Sequence, residues 1–331
     1  MRAAVLIPDG ANGSIEVREV PDPSPGPGQI RIAVHAAGLN RADLLQRAGR
    51  YGAGPVALEP VIGGSDAAGT VTALGAEVTG ITVGDRVMGI CAGAYAQAAV
   101  MDARVALPVP DSLSWEQAAA LPVALMTELD ALVNAAALVT GESVLVTAAG
   151  SGVGAIGVQV ARVLGAGTVL ATARSDKSAD AARAAGADDV LDGNDPPEVT
   201  NAARAATSCQ GVDIIVDHVG AELFDANIAA LALGGRLVSV GRLGGQTATI
   251  DLNQVALRRL RLIGTTFRTR NLDERAAIAD QVREQLLATV GAGAIRAHVS
   301  ATYPLEDVLR AQEDLRHHRY PGKLVLHIEE R

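Results

Sequence analysis

Residues 148–154 read Ala-Ala-Gly-Ser-Gly-Val-Gly, a run of small side chains with the composition of a phosphate-binding turn. An apolar run at residues 144–147 precedes it, and a helical pattern over residues 153–164 follows. Such a turn brings backbone N–H groups close to a diphosphate, and the helix N-terminus adds the positive end of its dipole. Two glycine positions of the usual fingerprint hold other small residues, so a merely structural turn is the alternative. The strand–turn–helix context favours a dinucleotide site with these candidate contacts: Ser151, Gly152, Val153 and Gly154.

The type of dinucleotide is indicated 20 residues beyond Gly154, where Arg174 follows the next predicted strand. Enzymes that bind NAD typically carry an acidic residue there, which accepts a hydrogen bond from the ribose hydroxyl. A guanidinium suits the 2′-phosphate of NADPH instead. Asp176 is the competing sign, but it lies past the strand and can cap the following helix. We therefore expect NADPH, with its 2′-phosphate near Arg174, Ser175 and Lys177.

A sheet must lie behind this turn, and residues 143–240 have the pattern of one. Short strands that are apolar throughout alternate with helices, which predicts a parallel sheet covered on both faces. Right-handed crossovers then give a doubly wound fold, whose strand ends line a cofactor crevice. Val219, Gly241 and Arg242 follow two of these strands and are candidate cofactor contacts. His218, beside them, is a candidate for the cofactor edge or for a structural role.

The first 120 residues have a different pattern. Short apolar runs between prolines and glycines predict a β-rich domain, with one strand at residues 104–107. Ser114 and Gln117 have the spacing of a helix capping box. Pro122 is expected to interrupt that helical region, and a second helix is expected over residues 127–136.

Composition excludes several functions. The chain has 331 residues and a formal net charge of −9, so we expect neither nucleic acid nor an anionic membrane as a partner. A charge-free stretch at residues 143–161 is long enough for a membrane span, but its glycines favour a strand that turns into a helix. Two cysteines are too few for a disulfide framework. The first five residues show no signal-peptide pattern, which predicts a cytoplasmic protein.

Motifs along nearly the whole chain resemble those of one family. They lie at residues 37–43 with Arg47, Gly49 and Tyr51, at 63–69, 83–87, 118–122 with Thr127, 217–220, 234–238, 264–268 and 322–326. With the phosphate turn, they resemble the zinc-independent quinone oxidoreductases of the medium-chain dehydrogenase/reductase superfamily. The resemblance implies an α/β protein in which a GroES-like β-barrel catalytic domain, residues 1–120 and 261–331, surrounds a doubly wound Rossmann NADPH-binding domain, residues 121–260. It also implies a homodimer, and a terminal strand that returns to the first domain.

The resemblance also bears on metal binding. Zinc-dependent relatives carry a Cys near position 40 and Gly-His-Glu near position 65, where this chain has Asn40, Ser65 and Asp66. Cys91 has no His or Cys companion nearby in sequence, and a small buried residue is the simpler interpretation. We therefore expect no zinc. Without a Lewis acid, a quinone or an enone is a more plausible acceptor than a simple ketone.

The resemblance places Asn40 and Tyr51 near the nicotinamide, as candidate catalytic residues that polarise the acceptor or relay a proton. It places further cofactor contacts at Thr127, Phe267, Arg268 and Lys323. The alternatives are a residue at the start of a helix for Thr127 and a structural turn for Lys323. The leading prediction is an NADPH-dependent reductase of a quinone or similar activated carbonyl. The alternatives are an enoyl or alkenal C=C reductase of the same superfamily, and a cofactor-binding protein without catalysis.

Overall fold

The computed structural model describes residues 1–7, 13–50 and 61–329, so Tyr51 lies outside the described residues. Within these ranges the strands are β1 (Arg2–Ile7), β2 (Ser14–Glu19), β3 (Gln29–Gly38), β4 (Val61–Ile62), β5 (Asp66–Leu74), β6 (Arg86–Ile90), β7 (Ala98–Asp102), β8 (Leu107–Pro108), β9 (Ser143–Val146), β10 (Thr168–Ala173), β11 (Asp189–Asp192), β12 (Val212–Asp217), β13 (Leu231–Ser239), β14 (Arg261–Gly264), β15 (Val299–Pro304) and β16 (Lys323–His327).

The α-helices in the same ranges are α1 (Arg41–Arg47), α2 (Trp115–Ala119), α3 (Pro122–Leu129), α4 (Gly152–Val163), α5 (Asp176–Ala184), α6 (Pro196–Ala206), α7 (Phe224–Ala230), α8 (Leu252–Arg258), α9 (Leu272–Gln285), α10 (Leu287–Gly291) and α11 (Val308–Arg316). Short 3₁₀ turns lie at Ala103–Val105, Ala221–Leu223 and Leu305–Asp307, and a π-helical segment, Asp130–Ala135, follows α3.

The chain forms two compact units. Unit 1 contains Met1–Val123 and Phe267–Arg331, and unit 2 contains Ala124–Thr266. The domain limits drawn from the sequence, at residues 120/121 and 260/261, stay a prediction. The compact units differ from them chiefly at the second limit, because β14 pairs with β13 and so belongs to the sheet of unit 2.

Unit 2 is built on a six-stranded sheet in the order β11-β10-β9-β12-β13-β14, and every neighbouring pair is parallel. This is the strand order of a dinucleotide-binding doubly wound fold, so that prediction is confirmed. The order reverses between β9 and β12, which is where such sheets open a crevice at their carboxyl ends. The phosphate turn follows β9 and therefore lies at this point.

The charge-free stretch at residues 143–161 is the strand β9, the turn and most of α4. Val144, Leu145 and Val146 are fully buried, because β9 lies in the middle of the parallel sheet and both of its faces are covered. No helix in the described ranges is long and apolar enough to cross a bilayer.

Unit 1 contains a mainly antiparallel seven-stranded sheet in which β16 pairs with β3, with Val325 opposite Gly38. The expected return of the terminal strand to the first domain is therefore confirmed. Its core is a continuous apolar cluster that includes Ile30, Ile32 and Tyr95, each fully buried.

Two local expectations were wrong. Residues 104–107 do not form one strand, because the Asp102 carboxylate accepts a hydrogen bond from the Arg104 N–H at 2.9 Å and starts a 3₁₀ turn. The helical region is interrupted before Pro122, since α2 ends at Ala119, but the second helix begins at Pro122 and not at residue 127, because proline is favoured at the first position of a helix. The capping box of Ser114 and Gln117 is confirmed.

Candidate active site

The phosphate turn joins β9 to the N-terminus of α4. Ser151 caps the helix, and its hydroxyl oxygen accepts a hydrogen bond from the Gly154 N–H at 3.0 Å. The N–H groups of Gly152 and Val153 lie in the first turn, where a helix offers no acceptor of its own. Both residues are partly exposed. Two donors at the positive end of a helix are therefore available to an anion, as a dinucleotide diphosphate requires.

Small residues in the turn are a steric requirement. A Cβ at Gly154 would lie 2.7 Å from the Ala148 carbonyl oxygen. A Cβ at Gly150 would lie 2.4 Å from the Cβ of Ser178 on α5. Ala148 itself has a φ of 51°, in the left-handed region. The turn is thus packed too closely for larger side chains at positions 150 and 154.

Hydrogen bonds tie this turn to both neighbouring strands. Ala148 N–H donates to Thr172 Oγ1 at 3.0 Å, and Ala149 N–H donates to the Thr172 carbonyl at 2.9 Å. On the other side, Thr147 Oγ1 donates to Asp217 Oδ1 at 2.9 Å. The ends of β10 and β12 are therefore held in register with the turn.

Arg174 lies just past the end of β10, two residues after Thr172. Its side chain is 58% exposed, and its Nη1 lies 4.0 Å from Oε2 of Glu222. Ser175 caps α5 by accepting a hydrogen bond from Ser178 N–H at 3.3 Å, and Lys177 is exposed in the first turn of that helix. The polar residues expected at a 2′-phosphate are thus grouped at one strand end. Nothing in the sequence pattern indicated Glu222, because it is far away along the chain.

The turns after β12 and β13 pack against each other. Gly241 N–H donates to the Asp217 carbonyl at 3.0 Å, and Gly244 N–H donates to the Val219 carbonyl at 2.8 Å. Burial raises the pKa of Asp217, although its carboxylate accepts hydrogen bonds that include one from the Val219 N–H at 3.0 Å. The structure therefore brings the candidate contacts Val219, Gly241 and Arg242 together at these turns.

Thr127 lies on α3 and is partly buried. The residue after it, Glu128, is fully buried, and its Oε1 lies 3.1 Å from Nε2 of His218. Sequence reasoning considered His218 but missed Glu128. The available signal was an acidic residue in a helix that is otherwise almost entirely apolar.

In unit 1, Asn40 and Lys323 meet in one buried cluster. The Asn40 amide nitrogen donates to Asp66 Oδ2 at 2.8 Å, and its amide oxygen accepts from Lys323 Nζ at 2.7 Å. The ammonium also lies 3.1 Å from Asp66 Oδ2. The second Asp66 oxygen accepts from the Val123 N–H at 2.8 Å. Every oxygen of this cluster is therefore engaged within unit 1.

A second carboxylate, Asp43, supports the cluster. It accepts hydrogen bonds from Tyr95 OH at 2.6 Å, from Asn40 N–H at 2.7 Å and from Ser65 Oγ at 3.2 Å. Burial raises the pKa of Asp43 to about 6, against the lowering effect of the bonds from Tyr95 and Asn40. Asp43 is consequently ionised at neutral pH and holds Asn40 by its backbone.

These residues do not suit a zinc ion. The amide oxygen of Asn40 and a carboxylate oxygen of Asp66 both face the Lys323 ammonium, which would repel a dication at the same place. In the described ranges, no group of three or more His, Cys, Asp or Glu side chains could hold a metal ion.

Two candidates remain, Phe267 and Arg268. Phe267 is partly buried at the start of the second segment of unit 1, and its carbonyl accepts a hydrogen bond from Arg275 Nη2 at 3.0 Å. Arg268 is exposed. Their contacts with a cofactor stay a prediction, as do those of Lys323, and Tyr51 falls outside the described residues.

The buried residues Asn40, Asp66 and Lys323, which we call the Lys323 cluster, should stabilise unit 1. Lys323→Met leaves Asp66 as a buried carboxylate without its counter-ion, so unit 1 should lose roughly 3–5 kcal/mol of stability. Trp115 is the single tryptophan and lies in unit 1, so its fluorescence during urea unfolding reports on that unit. Lys177→Met removes the other lysine, which is exposed, and should unfold like wild type. Equal unfolding midpoints for the two variants would show that the buried pair contributes nothing.

Comparisons with known proteins agree with this architecture. Residues 26–111 match the family described as alcohol dehydrogenase GroES-like domain, and residues 152–282 match the family described as zinc-binding dehydrogenase. The chain is 36% identical to the pikromycin polyketide synthase component PikAII of Streptomyces venezuelae, in an alignment that covers 96% of this chain and 8% of that protein. The chain thus spans only a small part of that relative.

Solved structures of similar length also resemble it. A mycobacterial quinone oxidoreductase is 33% identical with a TM-score of 0.86, and the match covers 98% of this chain and 99% of that one. The quinone oxidoreductase of Thermus thermophilus, solved also as its NADPH complex, is 30% identical with a TM-score of 0.84, covering 99% and 100% of the two chains. With its GroES-like segment and its Rossmann-like parallel sheet, the chain belongs to the medium-chain dehydrogenase/reductase superfamily of oxidoreductases, as a quinone oxidoreductase-like member.

Proposed function

We propose that this protein is an NADPH-dependent reductase that transfers a hydride from the nicotinamide to a quinone or a similar activated carbonyl, without zinc. The observation that carries the proposal is the phosphate turn, with two free N–H groups at the start of α4, joined through Thr172 to the strand end that carries Arg174. The NADPH complex of the Thermus thermophilus relative supports the same cofactor here.

In this proposal the diphosphate lies on the turn at Ser151, Gly152, Val153 and Gly154, and the 2′-phosphate lies beside Arg174, Ser175 and Lys177. The rest of the cofactor contacts Thr127, Val219, Gly241, Arg242, Phe267, Arg268 and Lys323. Among these, Arg174 decides the cofactor. Its contact with Glu222 at 4.0 Å is between two exposed side chains, so it is weak and yields readily to a phosphate.

The cofactor proposal is tested by Arg174→Asp. Losing a charge-assisted contact worth roughly 1.5–3 kcal/mol should lower kcat/KM for NADPH about 10- to 100-fold, while kcat/KM for NADH stays similar or rises. Arg183→Asp is the matched control, because it makes the same charge change at an arginine of α5 whose side chain is also 58% exposed. It should leave the cofactor preference unchanged. A wild-type enzyme that uses both cofactors equally, or an Arg174→Asp variant that keeps its NADPH preference, would contradict the proposal.

The Lys323 cluster bears on the chemical class of the hydride acceptor. NADPH supplies the hydride when it is bound. Because the cluster does not suit a metal ion, we propose an acceptor that needs no Lewis acid, such as a quinone or an enone. Asn40 would donate to its carbonyl oxygen: one amide N–H is engaged by Asp66, and the other has only a long contact, 3.5 Å, with Ser65 Oγ. Tyr51 would hold or relay a proton.

A second candidate is reduction of an activated C=C bond, as in an enoyl thioester. The similarity to the polyketide synthase component, at 36% identity over 96% of this chain, favours it. The two reactions share the hydride donor and differ in the acceptor.

A panel of acceptors separates these candidates. We expect NADPH oxidation with quinones and enones, and none with the corresponding saturated ketones, which need stronger polarisation. A higher kcat/KM for enoyl thioesters than for any quinone would make C=C reduction the function. Tight NADPH binding without oxidation by any acceptor would instead indicate a cofactor-binding protein.

We further propose a homodimer in the cytoplasm. Within the described residues, β14 is an edge strand of the unit 2 sheet, bonded only to β13. Leu262 on this strand is 43% exposed, and Leu252 and Leu257 on α8 are 74% and 72% exposed. An open edge beside exposed leucines favours pairing with a second copy.

The assembly is tested by light scattering after size exclusion. Wild type should have twice the mass of the chain, and Leu257→Glu with Leu262→Glu should have the mass of one chain, because charge on an apolar contact opposes association. Leu309→Glu, at a leucine in unit 1 that is 44% exposed, is the control and should leave the mass unchanged. A monomeric wild type would rule out the dimer.

A further inference from the structure

A buried ion pair joins α3 to the turn after β12, and the proposed reaction does not use it. Glu128 is fully buried, His218 is 6% exposed, and Glu128 Oε1 lies 3.1 Å from His218 Nε2. The distance is that of an ion pair, although the N–H direction is poor for a hydrogen bond. On the other side of the carboxylate, a Cβ at Gly157 of α4 would lie 2.5 Å from Glu128 Oε2, so the glycine leaves the room that this group occupies.

Burying this pair costs free energy. Leu125, Met126 and Leu129 of the same helix are fully buried, so α3 runs through an apolar interior. Burying a charge there is unfavourable unless a partner compensates it, and an apolar pair of similar volume often gives equal or better stability. A role in holding a particular geometry explains the pair better than stability does.

The two charges lie beside two candidate cofactor contacts. Glu128 follows Thr127 on α3, and His218 precedes Val219 after β12. A second contact lies at the end of α3. Asp130, the residue after the helix, accepts a hydrogen bond at its Oδ2 from Thr265 Oγ1 at 2.5 Å. Asp130 also begins the π-helical segment, a distortion that is often found at functional sites.

The turn that carries Val219 is held just as closely. The His218 N–H donates to Thr147 Oγ1 at 2.8 Å, and the Asp217 carboxylate accepts from Val219 N–H and Gly220 N–H, each at 3.0 Å. These bonds hold the turn in place, and the Glu128–His218 contact joins the turn directly to α3.

We propose that the Glu128–His218 ion pair positions the nicotinamide end of NADPH, by fixing Thr127 on α3 against Val219 in the turn after β12. This inference rests on the proposed function, since it assigns the pair to the same cofactor site. Glu128 and His218 are positioning residues, which act through their neighbours and take no part in the hydride step.

The pair gives the site a pH dependence. Burial acts to lower the pKa of His218, but the Glu128 carboxylate, with Asp217, raises it above its ordinary value of 6.5. Glu128 on α3 and Asp217 at the end of β12 are the charged groups that act on the ring. Because the folded-state pKa is the higher one, the pair is complete below about pH 6.5 and is lost as the pH rises through that folded value. Raising the pH through that value therefore loosens Thr127 and Val219, and the KM for NADPH should rise.

The direct test is Glu128→Gln. We expect its KM for NADPH at neutral pH to rise about tenfold and its kcat to fall, because a misplaced nicotinamide reacts more slowly. The pKa of the His218 ring, followed by NMR and assigned with His218→Gln, should fall. Glu116→Gln is the matched control: it breaks a contact of 3.2 Å to His327 Nδ1 on the surface of unit 1, and it should leave KM and its pH profile unchanged.

A double variant covers the case in which the single one misfolds. Glu128→Gln with His218→Gln removes both charges, which buried sites tolerate better than one unpaired charge. Its KM for NADPH should be raised at all pH values and should no longer increase with pH. The positioning role is wrong if wild type turns over NADPH and either folded variant keeps the wild-type KM and pH profile. A wild-type chain that binds no NADPH would overturn the proposed function and, with it, this role.

Discussion

Helix α4 can approach the phosphate turn only because position 154 lacks a side chain. A Cβ there would lie 2.7 Å from the Ala148 carbonyl oxygen, closer than two such atoms can come. This contact sets the start of α4, and therefore where the unpaired N–H groups of Gly152 and Val153 lie. The bonds from Ala148 and Ala149 to Thr172 then place the end of β10, and the bond from Thr147 to Asp217 places the end of β12.

Both units hold buried charges, and the same physics governs them. Removing an ion from water is costly, so a buried ion needs either an ion of opposite sign or several hydrogen bonds. In unit 1, Lys323 neutralises Asp66 and fixes the amide oxygen of Asn40. In unit 2, His218 faces Glu128. The first pair contacts Asn40, the proposed donor to the acceptor. The second lies beside the proposed nicotinamide contacts.

The fold was predictable where the signal is local. The small residues at 148–154, the apolar strand before them and the helix after them are neighbours in sequence, and the alternation of strands and helices follows directly. The 3₁₀ turn at Ala103–Val105 was not predicted, because a side-chain bond from Asp102 overrides an apolar pattern that also suits a strand. The start of α3 at Pro122 was missed because proline breaks a helix in its interior but favours its first position.

The contacts within the candidate site were less predictable. Lys323 and Asp66 are 257 residues apart, and Glu128 and His218 come from different elements, so no spacing rule connects them. Sequence reasoning therefore named Asn40 and Lys323 as site residues without finding that they bond to each other. The contact of Glu222 with Arg174 could not be predicted either, because these residues are also far apart in sequence.

The proposed function requires this protein to oxidise bound NADPH at C4 by hydride transfer. The most direct measurement is a single-turnover reaction with a quinone or an enone, comparing NADPH with its two C4-deuterated diastereomers. A fixed cofactor predicts slower oxidation with deuterium on one face and an unchanged rate with deuterium on the other, because only one C4–H bond faces the acceptor. Bound NADPH that is not oxidised, or equal rates for both deuterated forms, would contradict the account.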